Sequence, residues 1–155
     1  MNPIDQQRTV MDWLLEPSDP GARYLALRDV LGRGEEDVQL LEARRAAHQR
    51  GPIAQILEAM HPEGWWEKPG PGYGPKYKST VWAMILLGQL GASIHEDPRV
   101  RVAAIYVLEH ALTQQGQFTY SGAPSGTFHC LQGNLCQALH RVGVKDERRG
   151  DCPAE

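Results

Sequence analysis

Residues 53 to 91 recur at 105 to 143 with a constant shift of 52 positions and no gap. Ile53 answers Ile105, Ile56 answers Leu108, and Met60 answers Leu112. Gly64 answers Gly116, Trp66 answers Phe118, Leu87 answers Leu139, and Gly91 answers Gly143. A single offset held through two glycine pairs and an aromatic pair marks a supersecondary unit that cannot bury its apolar face alone and must stack on a neighbour.

The pattern within each unit is helical. An amphipathic helix leads into a Gly-aromatic turn, then a long loop, a second helix and a closing glycine. The expected unit helices are 53–60 with 79–90, and 98–114 with 127–142. Ser79 is placed to cap the second of these, whose apolar run from Val81 to Leu87 reads as a helix buried on every side. Asp97-Pro98 caps and opens its successor. Strand signals are absent, and 61–78 is too rich in Gly and Pro for regular structure. A loop this long in a compact domain is more often functional than a plain connector.

Ahead of the repeat, Thr9–Leu15 is a short apolar stretch. Asp19-Pro20 opens a helix presenting Tyr24, Leu27 and Leu31, with Arg23 placed to pair with Asp19. A third helix over 35–50 carries Glu35, Glu36 and Asp37 at its positive end and Arg44, Arg45, His48 and Arg50 at its negative end, which compensates the helix dipole. The chain thus divides into a helical lead-in (1–50), two helical-hairpin repeats (51–143) and a polar, frayed tail (144–155). The fold class is all-α.

A formal charge of -3 gives no reason to expect a nucleic-acid partner. The start lacks the apolar core of a secretory signal, and the longest apolar run, 81–94, is too short to span a bilayer. Three cysteines form no disulfide framework, so a cytoplasmic location is expected.

Four segments, Gly64-Trp65-Trp66, Tyr77 to Trp82, Gly91-Ala92 and Cys130 to Asn134, resemble the repeat of the α/α-toroid superfamily, which includes squalene–hopene cyclases and protein prenyltransferases. The resemblance implies a partial toroid in which 53–60 and 98–114 are outer helices while 79–90 and 127–142 are inner ones. It brings no catalytic motif: the cyclases' Asp-rich run is absent, and the prenyltransferases' zinc ligands have no residue-by-residue match. A module that binds an apolar small molecule or self-associates through its concave face is therefore expected. The alternatives are an isoprenoid-handling enzyme and a HEAT-like protein-interaction scaffold, the latter suggested by Asp19 to Leu27.

On the last helix Leu131, Leu135, Ala138 and Val142 make an apolar stripe expected to pack on an outer helix. Nearly opposite lie His129, Gly133, Cys136 and His140, whose counterparts are Tyr77, Val81, Met84 and Gly88. These two sets are the expected concave wall. His129, Cys136 and His140 are also candidate zinc ligands, although buried Cys and backbone-satisfied His are the ordinary reading and no cofactor is favoured. In the long loop Trp65, Tyr73 and Tyr77, interleaved with Lys68, Lys76 and Lys78, are candidates to stack on a ligand, and Trp66 is expected to be a staple between repeats. The candidate ligand-binding set is thus Trp65, Tyr73, Tyr77, Val81, Met84, His129, Cys136 and His140. Glu63 and Glu67 offer only a weak glycosidase pair.

Overall fold

The computed structural model describes residues 10–144. The start of the apolar stretch at Thr9 and the polar tail from Lys145 lie outside them. The described residues are helical with no strand, only an isolated bridge between Leu112 and Phe118. After a helical turn over 10–14, six helices follow: α1 (Pro20–Leu25), α2 (Val38–Gln49), α3 (Pro52–Glu58), α4 (Thr80–Leu90), α5 (Pro98–His110) and α6 (His129–Arg141). A π-helical turn, Ala26–Val30, continues α1. The all-α class is what the periodicity predicts, and among the described residues no helix is long and apolar enough to cross a membrane.

Several boundaries move for local reasons. Glu35 and Glu36 precede α2 because Asp37 is its cap, accepting the N–H groups of Gln39 and Leu40. Asp19 caps α1 through Ala22 N–H, but Arg23 turns away from it and donates to the Leu15 carbonyl at 2.7 Å. Ser79 does not cap α4; its hydroxyl donates back to the Pro75 carbonyl and tightens the loop. Asp97 caps α5 as its position implies.

The two hairpins repeat in hydrogen bonding as well as in sequence. His61 N–H donates to Trp65 O, and Thr113 N–H to Gln117 O. Gly64 N–H reaches His61 O, as Gly116 N–H reaches Thr113 O. Both glycines hold positive φ, 98° and 78°, in the region glycine tolerates. At the far ends Gly91 and Gly143 close α4 and α6 in the same way, with Ala92 N–H on Leu87 O and Val144 N–H on Leu139 O. Trp66 and Phe118, both buried, receive equivalent anchors: Thr80 Oγ1 accepts Trp66 N–H and Gln132 Oε1 accepts Phe118 N–H. Thr80 and Gln132 are themselves 52 apart.

The main core gathers α3 to α6 around Met84, Leu87, Val107 and Leu135, with Ala47 of α2 joining it. A smaller cluster of Tyr24, Leu27, Leu40 and Ala43 belongs to α1 and α2. These two helices dock on the repeats through Arg44 to Glu96 (2.9 Å) and through His48, whose Nε2 accepts Ser93 N–H at 2.9 Å.

The helix called buried on every side is not. Val81, Met84, Leu87 and Gly88 are buried, but Leu86 is 43 % exposed. The stripe on α6 is buried as expected, yet its partner is the neighbouring second helix rather than an outer one. A β-carbon added at Gly88 would stand 2.8 Å from the Ala138 Cα, so α4 and α6 meet backbone to backbone.

Candidate functional site

The loop from His61 to Ser79 is held down at several points. Trp66 is buried, and its Nε1–H donates to the Ile56 carbonyl at 2.8 Å; with its N–H on Thr80, it ties the loop to both helices of the first repeat, where a staple between the repeats is expected. Tyr106 of α5 accepts Gly70 N–H at 2.8 Å. Val81 N–H donates to Gly72 O, and Trp82 Nε1–H to Tyr73 O at 2.8 Å. These bonds lay the loop over the start of α4 and fix where its rings point.

The second loop arrives from the other side. Tyr120 N–H donates to Gly126 O, and Thr119 Oγ1 to the Ala123 carbonyl, folding 119–126 into a compact turn. It delivers Tyr120 beside Phe128, the residue preceding α6. Their rings stack at 4.8 Å with planes 1° apart.

Between the loops stands Tyr73. Its ring centroid lies 5.3 Å from Trp82, 5.9 Å from Tyr120 and 6.0 Å from Phe128. Tyr77 extends the group, 4.8 Å from Trp82, with Lys76 Nζ 5.0 Å above its ring. Five aromatic side chains thus form one cluster at the N-terminal ends of α4 and α6. Tyr77 is 72 % exposed, and Tyr120 and Phe128 are about two-fifths exposed. Tyr77 also adopts φ 67°, a left-handed conformation that costs a side-chain-bearing residue about 1–2 kcal/mol. A bulky aromatic is held there against its backbone preference, with most of its ring in solvent.

The expected site residues are distributed differently. Tyr73 and Tyr77 belong to the cluster. Trp65 stacks on His61 at 4.0 Å and donates to Glu63, apart from the other rings. Val81 and Met84 are fully buried between the helices and present no surface to a cavity. Their face of α4 is where the second repeat sits, which is why it is apolar. The counterpart face of α6 has no repeat against it: His129, Gly133 and His140 are exposed and Cys136 is partly buried. His129 and His140 are eleven residues apart on one helix, so a rise of 1.5 Å per residue separates them by about 16 Å along its axis. They cannot share one ion, and among the described residues no three His, Cys, Asp or Glu side chains converge as a metal site.

Trp82, Tyr120 and Phe128 are the cluster members the sequence reading leaves out. Their signal is positional: Tyr77 and Phe128 both stand just ahead of the second helix of a repeat. The 52-residue offset hides it, because Tyr77 answers His129 rather than Phe128. No protein-family model matches the chain, and neither does any curated protein or solved structure.

Proposed function

We propose that this protein is a toroid-like helical-repeat module that binds an apolar small molecule at the aromatic cluster rather than catalysing a reaction by itself. The observation that carries the reading is the convergence of Tyr73, Tyr77, Trp82, Tyr120 and Phe128 from two separate loops, with three of the rings left exposed. Aromatic rings buried only as glue between loops would be covered; these form a surface. Offset and tilted rings offer both faces and edges to a ligand, and each good contact contributes about 0.5–1.5 kcal/mol beyond the area covered. A groove of about 370 Å³ begins at Tyr77 and Trp82 and gives the ligand's chain a place to lie.

The toroid-like arrangement draws support from the equivalent turns of the two hairpins and from the side-by-side packing of α4 and α6. An isoprenoid alcohol is accordingly the first probe. Titration of the full chain with farnesol, followed by tryptophan fluorescence and checked by native mass spectrometry, is expected to give saturable, micromolar binding. Tyr73→Ala, which removes the ring touching three others, weakens it by at least about tenfold, or 1.4 kcal/mol. Absence of any saturable change, or equal binding by Tyr73→Ala, rejects the assignment.

A further inference from the structure

We propose that the hollow between α5, the loop ahead of it and the end of α6 binds a linear aliphatic carboxylate, its head at Arg101 and its chain running toward Leu108. This site shares no residue with the aromatic cluster or with the groove that starts at Tyr77, and it goes beyond the reading given to them.

The hollow holds about 350 Å³, an ordinary size for a small-molecule site, and Ile94, Ile105, Leu108 and Val144 make its apolar walls. Arg101 and His95, both exposed, also line it. The repeat explains why it is open. A shift of 52 carries Ile53, Gly91 and Ala92 onto Ile105, Gly143 and Val144. In the first repeat the lead-in closes this place: Tyr24 lies against Gly91, Ile53 is 2 % exposed and Ala92 is fully buried. In the second repeat Ile105 is 47 % exposed, and what faces Gly143 is Ile94 and His95. Ile94 N–H donates to Val142 O at 2.9 Å, which fastens that wall to the end of α6.

The chemistry of the occupant follows from one helix face. Ile105 and Leu108 stand four and seven residues after Arg101 on α5, all on one side of the helix. The charge is therefore about 6 Å along the axis from Ile105 and about 10 Å from Leu108. Arg28, Arg44 and Arg99 are each ion-paired, whereas Arg101 has no such partner among the described residues. A guanidinium offers paired N–H donors that match a carboxylate, while its aliphatic stem suits an apolar wall. A neutral hydrocarbon would leave this cation unmatched, and a compact anion would leave the walls in water. An anion with a hydrocarbon chain satisfies both.

Calorimetric titration of the full chain, which continues from Val144, with laurate below its micellar range tests this. Saturable one-to-one binding is expected, tighter than that of dodecanol, the neutral alcohol of the same length. Arg101→Gln is expected to weaken laurate binding at least about fivefold and to leave dodecanol unaffected, with Arg101→Lys recovering part of the loss. Ile105→Asp, at an exposed position, should weaken both ligands with unchanged circular dichroism. Absence of saturable binding, a preference for dodecanol, or undiminished laurate binding by Arg101→Gln or Ile105→Asp overturns the proposal. So does a loss in Tyr73→Ala equal to that in Arg101→Gln, which would put laurate on the aromatic rings. Farnesol bound without laurate removes only this proposal, while laurate bound at Arg101 without farnesol removes only the reading of the aromatic cluster.

Discussion

Gly88 and Gly133 both sit inside helices, where glycine costs about 1 kcal/mol relative to alanine, but only one has a reason to be there. A β-carbon on Gly88 would meet the Ala138 backbone at 2.8 Å, whereas one on Gly133 would meet nothing within 4 Å. Gly88→Ala is therefore expected to destabilise the protein by about 1–3 kcal/mol through overpacking. Gly133→Ala is expected to stabilise it by about 1 kcal/mol. Urea-denaturation midpoints check both, and shifts in the same direction would refute the close approach of α4 and α6. At this scale the sequence was only partly legible. Trp66 reads correctly as a buried structural ring because its counterpart is also aromatic and follows a glycine, but its bonds to Ile56 and Thr80 hold one hairpin together and do not join the two. Val81 and Met84 read as a cavity wall because an apolar helix face has the same appearance whether a ligand or a neighbouring helix covers it. Tyr120 and Phe128 escaped notice because their partner Tyr73 is brought to them by loop geometry, which carries no periodicity.

The helical hairpins depend on anchors at equivalent places. Thr80 Oγ1 accepts the Trp66 N–H at 3.1 Å, while Gln132 accepts the Phe118 N–H at 2.7 Å and donates to its carbonyl at 2.6 Å. Thr80→Val keeps the volume but orphans a buried donor, a loss of about 1–3 kcal/mol. Gln132→Leu breaks two bonds and is expected to cost more, with thermal melts giving the order. The cap of α5 adds a pH signature. The Arg99 guanidinium, 2.7 Å from Asp97 Oδ2, holds that carboxyl below its ordinary value of 3.8, against the opposing effect of burial. A carboxyl with a lowered folded-state pKa adds stability that is complete above its ordinary value and disappears as pH falls through the folded one. Asp97→Asn should thus melt below the native protein at about pH 7, with the gap narrowing below about pH 4. A constant gap would mean that the charge contributes nothing. Asp97-Pro98 was legible as a helix start because a cap and a proline are local signals. The failure of Ser79 to cap was not, since only the folded loop brings the Pro75 carbonyl within its reach.

Across the whole molecule, α1 and α2 have a core of their own too small to stand alone, centred on Tyr24, Leu27, Leu40 and Ala43. Beside the apolar contacts of Ala47 with the main core and of Tyr24 with Gly91, a polar and specific seam ties it to the repeats. His48 is buried, its Nδ1–H donates to the Arg44 carbonyl at 2.8 Å, and its Nε2 accepts Ser93 N–H at 2.9 Å. Those partners require the proton on Nδ1. Arg44 beside it reaches both Glu96 and Glu35 at 2.9 Å. The spacing of charges along α2 suggests only a helix compensating its own dipole; that Arg44 and His48 instead join two parts of the chain depends on where Ser93 and Glu96 fold to, which sequence spacing does not encode. His48→Ala leaves the Ser93 N–H without its acceptor and opens a gap at the seam between the two clusters. The cooperative unit should then divide. Amides of residues 20–45 are expected to exchange with deuterium more than about tenfold faster than in the native protein, while those of 81–90 and 131–139 keep their protection. Uniform acceleration along the chain would mean instead that lead-in and repeats open as one body, with His48 contributing to general stability and no boundary lying between them.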